Sequence, residues 1–135
     1  ERQVSDLLAA ISVLNNSASD SAQSLPLVPP ASVAVFGKEA TAPLAIYAAL
    51  LNPAVQEIVL QACPTTHEDP HAPEFLGVLR VGDLPHNLAL AFPRTITFVG
   101  PVPAEFEWTK QVYEKYGAAD RFRQIDSISK WRPLP

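Results

Sequence analysis

Cysteine, methionine and glycine are scarce in this chain of 135 residues, which has one cysteine, no methionine and five glycines. The single cysteine, Cys63, excludes an intramolecular disulfide and leaves no Cys-x-x-Cys pattern of metal ligands. Long apolar runs are also missing, because the longest, residues 42–51, spans ten residues and a membrane helix needs about 20. We therefore expect no membrane partner.

Positive charge is in deficit, since ten Lys and Arg residues stand against fourteen Asp and Glu residues for a net charge of −4. We expect no nucleic-acid partner, because no basic excess is present to neutralise phosphates. The N-terminal segment lacks the basic-then-apolar order of a signal peptide, which a mature chain would have lost. The compartment is therefore undetermined, with the cytoplasm as the default expectation.

The residues that are abundant indicate one globular domain. Apolar residues make up 47% and charged residues 18% of the chain, which is typical of a folded protein and not of a disordered one. Fourteen prolines predict stiff connections between short elements. We predict a single α/β domain made of a helix at 1–15, a Pro/Ser-rich connection at 16–31, an α/β core at 32–126 and a tail at 127–135.

Short β-rich runs alternate with helical segments through the core. Strands are predicted at residues 32–36, 57–61, 95–99 and 122–126, with Gly37 ending the first. Helices are predicted at 3–15 and 42–51, as one or two short helices within 75–92, and at 106–116. This alternation predicts a three-layer α/β fold, in which a short, mostly parallel sheet of about four strands is flanked by helices.

Ligand sites in parallel sheets lie beyond the carboxyl ends of the strands, and that rule selects the loops at 37–41, 62–74 and 100–105. The first loop joins a strand to a helix through a tight turn with small residues, the backbone context of a nucleophile elbow, Gly-x-Ser-x-Gly. Gly37 matches the first glycine, Glu39 takes the serine position and Thr41 takes the second glycine.

The turn, the ALLNP helix end, the VLRVGDLP segment and the PRTITFVG strand together resemble the C-terminal half of an α/β-hydrolase. The resemblance is to the acetyl-xylan-esterase and dienelactone-hydrolase-like branch, and it implies a truncated hydrolase fold, an ester substrate and a secreted origin. The chain departs from that pattern in three places. Glu39 replaces the serine, the loop at 100–105 offers Glu105 but no aspartate, and residues 126–130 contain no histidine.

Two histidines and two carboxylates fall within six residues, at 66–71. Imidazole and carboxylate are the ligands of zinc and other divalent metals, although the spacing matches no known zinc motif. We predict that Glu39, His67, Asp69 and His71 are the catalytic candidates, and that His67, Asp69 and His71 are the candidate metal ligands. The pattern requires no cofactor. A divalent metal is the cofactor that the imidazole and carboxylate groups of this loop would suit.

Further residues in and near these loops are candidates for ligand binding or for other roles. Backbone amides near Lys38, Ala40 and Thr41 would bind an anion at a helix N-terminus, and Glu105 adds a ligand-binding carboxylate. Cys63 is interpreted as a small buried apolar residue, with a cysteine–histidine pair as the alternative. The tail residue Trp131 must pack on something, either the sheet edge or a second subunit.

Three hypotheses for the function remain open. The first is a weak or promiscuous ester hydrolase that lacks a Ser-His-Asp triad. The second is a non-catalytic pseudo-hydrolase that binds a small ester, an anion or a partner in an assembly. The third is a metal-dependent hydrolase that uses the loop at 67–71. In each case a four-stranded sheet would leave an exposed edge, so we also expect a homodimer.

Overall fold

The computed structural model describes residues 2–16 and 33–133 of the chain. The predicted Pro/Ser-rich connection, apart from its first residue, lies outside the described residues, as do the last two residues of the tail. Within the described part, no helix is long and apolar enough to cross a membrane.

Among the residues that the structure describes, four strands form one sheet in the order of the sequence. They are β1 (Val33–Lys38), β2 (Val55–Gln61), β3 (Thr95–Val99) and β4 (Phe122–Ile125). Each strand pairs in parallel with the next, in the order β1-β2-β3-β4. The sheet is flanked by helices, which confirms the predicted α/β fold class.

In the described ranges, four α-helices accompany the strands, and each lies where the sequence predicts helix. They are α1 (Arg2–Asn16), α2 (Ala42–Leu51), α3 (Leu84–Ala89) and α4 (Glu107–Lys115). Proline in the first turn favours the start of both α2 and α3. Asp83 is the N-cap of α3, where its side chain accepts a hydrogen bond from the backbone N–H of Leu84 at 2.8 Å.

The prediction that Gly37 ends the first strand was wrong. β1 continues to Lys38, and Gly37 pairs with Leu60 of β2 inside the strand. Gly37 is needed there because α2 packs directly on it. A Cβ at this position would lie 2.6 Å from the Cα of Ala42 and 2.9 Å from the Cβ of Ala45, so no larger residue fits without moving the helix.

The core lies where the helices meet one side of the sheet. Alternate strand residues, such as Val35, Ile58 and Phe98, belong to the same buried cluster as the apolar residues of α2 and α3. β3 is buried at all its positions, as expected for an interior strand of a parallel sheet. Glu57 and Thr97 alternate to the opposite side, where they are also buried.

Within the described residues, β1 and β4 are the two outermost strands. Phe36 on β1 is 49% exposed, so this edge presents apolar surface as well as backbone groups. Such an edge favours pairing with another chain. The expected homodimer stays a prediction, and light scattering is the measurement that tests it.

Candidate functional site

The turn between β1 and α2 is held in a strained conformation. Glu39 has φ +51°, in the left-handed region that costs a non-glycine residue about 1–2 kcal/mol. The Thr41 hydroxyl stabilises this turn, because its Oγ1 accepts from the Lys38 N–H at 2.9 Å and donates to the Lys38 carbonyl at 2.8 Å. The hydroxyl of Thr41 therefore has a structural role here.

A second strained residue follows the neighbouring strand. Ala62, directly after β2, has φ +48°, and among the described residues it shares a positive φ only with Glu39 and with glycines. Lys38 and Gln61 are register partners at the ends of β1 and β2, so both strained residues leave the sheet side by side. Strained backbone tends to cluster at functional sites.

A cleft of about 560 Å³ opens at this edge of the sheet, within the usual size range of ligand pockets. Its lining combines the strained turn with the loop that follows β2: Glu39, Ala40, Ala62, Cys63, Pro64, Thr65, Asp69 and His71. Three of the four predicted catalytic residues, Glu39, Asp69 and His71, thus face one cleft. Neither His67 nor Glu105 belongs to this lining.

Asp69 and His71 form a hydrogen-bonded pair in the cleft. Asp69 Oδ1 accepts from the backbone N–H of His71 at 2.8 Å and lies 3.1 Å from the ring Nδ1. The backbone bond first, and then the side-chain bond, lower the pKa of Asp69 below its usual value. An ionised carboxylate only accepts hydrogen bonds, so this contact favours the tautomer of His71 in which Nδ1 carries the proton and Nε2 presents its lone pair.

His67 is directed elsewhere, toward the helices. Its Nε2 lies 2.6 Å from the Tyr47 hydroxyl on α2, and its ring contacts those of Tyr47 and Phe75. Burial lowers the pKa of His67, partly opposed by the nearby Asp83 carboxylate. Its buried Nδ1 has no hydrogen-bond partner among the described residues. His67 is therefore placed to hold the loop and not to face a ligand in the cleft.

The three predicted metal ligands do not converge. Asp69 and His71 are adjacent, but His67 contacts α2, and no group of three His, Cys, Asp or Glu side chains in the described part of the chain could hold a metal ion. These residues do not fit a shared metal site, so we assign no chemical step to a metal.

Charged neighbours of the cleft are exposed. Lys38 Nζ lies 3.6 Å from Glu39 Oε1, and both side chains are more than half exposed. Glu105 lies in the short turn before α4 and is exposed. The loop at 100–105 therefore does not contribute to the lining of this cleft, although the topology places it at the same edge of the sheet.

Cys63 lies in the wall of the cleft as a buried thiol. Its Sγ is 3.3 Å from the Pro64 carbonyl, and burial raises the pKa of the thiol to about 12. A thiol with this pKa is a poor nucleophile at neutral pH. His86 packs its ring against Trp108, with centroids 4.8 Å apart, and does not line the cleft beside Cys63.

Sequence reasoning missed several residues that shape the site. Tyr47, Asp83 and Asn87 contact or hold the loop after β2, yet only Asp83 had a signal, as an N-cap two residues before a proline. Ala62 had none, because a positive φ at alanine cannot be inferred from its identity.

Comparison with known proteins identifies no relative. No family model matches the chain, and neither the curated proteins nor the solved structures contain a significant match.

Proposed function

We propose that the chain is an α/β-hydrolase-like protein that slowly hydrolyses small esters in this cleft, without a Ser-His-Asp triad. One observation carries the proposal: the strained residue Glu39 opens onto the same cleft as the hydrogen-bonded pair Asp69–His71. Carboxylates and an oriented imidazole are the groups that general acid–base catalysis uses.

The proposed mechanism is direct attack by water. His71 Nε2 takes a proton from a water molecule while its oxygen bonds to the ester carbonyl carbon. The tetrahedral intermediate then expels the alkoxide, which recovers that proton from the imidazolium. Asp69 holds the ring and stabilises its charged form, and the Glu39 carboxylate accepts a hydrogen bond from the attacking water. General base catalysis of this kind contributes about 10²–10⁴-fold, so we expect a modest rate.

The test compares p-nitrophenyl acetate hydrolysis by the wild type, Glu39→Gln and His71→Gln. We expect each substitution to lower the rate by about 10-fold or more, because each removes one proton-transfer or water-positioning group. Glu68→Gln and His86→Gln are matched controls that change an exposed carboxylate and an exposed imidazole outside the cleft lining. Equal rates for all five proteins would remove this cleft as the catalytic site.

A non-catalytic binding module is the second candidate. The Lys38–Glu39 ion pair favours it, because a carboxylate that is already paired with an ammonium is less available to a water molecule. In this case the cleft binds a small anion or ester without turning it over. Acetate titration followed by amide NMR shifts at Ala40 and Thr41, in protein that shows no hydrolysis, would support this candidate.

A further inference from the structure

The loop that carries Asp69 and His71 has little regular structure of its own. Between the end of β2 and the turn at Val78–Arg80, the described residues form no helix or strand. Its local backbone bonds include those from the Asp69 N–H to Thr66 at 3.4 Å and from the Ala72 N–H to Asp69 at 2.9 Å. Side-chain contacts must therefore fix where the loop stands relative to Glu39.

Asp83 makes the first set of these contacts. Its Oδ1 accepts from the backbone N–H groups of His67 and Leu84, each at 2.8 Å. Burial alone would raise the pKa of Asp83, but hydrogen bonds from the Thr66 hydroxyl and from both backbone N–H groups outweigh it and hold the pKa below its usual value. One carboxylate thus joins the cleft loop to the start of α3.

Tyr47 makes the second set. Its hydroxyl lies 2.6 Å from His67 Nε2 and accepts from Asn87 Nδ2 at 2.9 Å. Because Asn87 donates to the Tyr47 oxygen, we assign the hydroxyl hydrogen to the bond with His67. Asn87 is buried and also donates to the Gly82 carbonyl at 2.8 Å. α2 and α3 therefore hold the His67 side chain jointly.

We propose that Asp83 and Tyr47 are positioning residues, which act through His67 to hold the Asp69–His71 pair against Glu39 in the cleft. His67 is the common anchor, since Asp83 binds its backbone and Tyr47 binds its ring. Asp69 and His71 follow it by two and four residues, so a shift of His67 moves both. The kinetic part of this proposal rests on the proposed function, but the structural part does not.

The experiment compares Tyr47→Phe, Asp83→Ala and Asp83→Asn with the wild type by hydrogen exchange of residues 62–74 and by the ¹⁵N shifts of the His71 ring. We expect Tyr47→Phe and Asp83→Ala to speed loop exchange by about 10-fold, with β2 and β3 unaffected. The Nδ1-protonated signature of His71 should weaken in both variants. Asp83→Asn retains an oxygen acceptor and should keep most of the wild-type behaviour.

Tyr116→Phe and Asp120→Ala are matched controls, because both residues are exposed and lie away from the loop. In hydrolysis assays we expect kcat to fall by about 10-fold in Tyr47→Phe while KM changes little, since orientation acts on the reacting groups. If no variant hydrolyses esters but the exchange and ¹⁵N changes occur, the positioning role stands and the proposed function fails.

Loop exchange and a His71 signature equal to the wild type in Tyr47→Phe would overturn the proposal. That variant lacks one oxygen atom, so it remains a valid test even if Asp83→Ala does not fold.

Discussion

The indole Nε1 of Trp131 donates a hydrogen bond of 2.8 Å to Oε1 of Glu57, across 74 residues of sequence. The same oxygen accepts from the Thr97 hydroxyl at 2.8 Å and lies 3.8 Å from a guanidinium nitrogen of Arg123. Glu57 is 6% exposed, and a buried carboxylate is tolerated only when such groups compensate its lost hydration. The tail therefore packs on the side of the sheet opposite the main core, within its own chain.

Replacing Trp131 with phenylalanine should lower the free energy of unfolding by about 1–3 kcal/mol, because it removes a hydrogen bond to a buried charged acceptor. Urea denaturation measures the change. Trp108→Phe is the matched control, since Trp108 is 48% exposed on α4. Equal stability of the two variants would mean that the bond to Glu57 contributes nothing.

Gly37→Ala should destabilise the fold by about 1–3 kcal/mol or more, because the added Cβ overlaps the α2 backbone and forces the helix to move. Gly117→Ala is the control for ordinary glycine effects. Gly117 has φ +73° with open space around it, and its replacement should cost only about 1–2 kcal/mol of left-handed strain. Denaturant midpoints compare the two, and a smaller loss at Gly37 would contradict the close packing.

Glu39→Gly and Ala62→Gly should each stabilise the protein by about 0.5–1 kcal/mol. Glycine removes about 1–2 kcal/mol of left-handed strain but adds about 0.5–1 kcal/mol of entropy in the unfolded chain. Thermal unfolding measures the gain. Ala40→Gly, in the helical turn, should instead destabilise by a similar amount. Destabilisation by all three substitutions would show that the backbone at Glu39 and at Ala62 is not strained.

The ionisation of Asp83 should make the stability of the fold depend on pH in the acidic range. Its folded-state pKa lies below the ordinary value of 3.8, so the fold favours the ionised form. That stabilisation is complete above the unfolded-state pKa and is lost as the pH falls through the folded-state pKa. The stability difference between the wild type and Asp83→Asn should therefore be constant above about pH 5 and shrink below about pH 4. Urea titrations across this range measure it, and a difference that grows in acid would contradict the assignment.

Cys63 should resist alkylation in the native state, because burial raises its pKa to about 12 and leaves almost no thiolate at neutral pH. It is the only cysteine, so mass spectrometry after iodoacetamide reports on it directly. We expect at least about 10-fold slower labelling than in guanidinium-unfolded protein. Rapid labelling of the native protein would instead support Cys63 as a nucleophile.

Element positions were largely predictable because they follow local rules. Periodicity located all four strands and all four helices, and proline and glycine marked their limits to within a few residues. The error at Gly37 is instructive. Glycine often marks the end of a strand, but this one lies inside β1, where the start of α2 at Ala42 turns back and packs directly on it.

The composition of the cleft was partly predictable. Parallel strands bring their carboxyl ends to one edge, so Glu39 was expected near the loop that contains Asp69 and His71. The sequence did not predict that the side chains of His67 and His71 point in different directions. This difference depends on the contacts of His67 with Tyr47, 20 residues before it, and with Phe75, eight residues after it. The spacing of residues in the sequence does not determine the direction of a loop side chain when aromatic rings from other parts of the chain can contact it.

The sequence by itself determined the α/β class, the order of the elements and the edge of the sheet that holds the cleft, because these follow from local periodicity and the handedness of the chain. Only the tertiary structure decided which polar side chains meet: Asp69 with His71 in the cleft, His67 with Tyr47 beneath it, and Trp131 with Glu57 on the far side of the sheet. The pairs of His67 with Tyr47 and of Trp131 with Glu57 depend on packing between segments that are 20 and 74 residues apart in the chain. The Asp69–His71 pair is local, but its position in the cleft depends on how the loop after β2 folds.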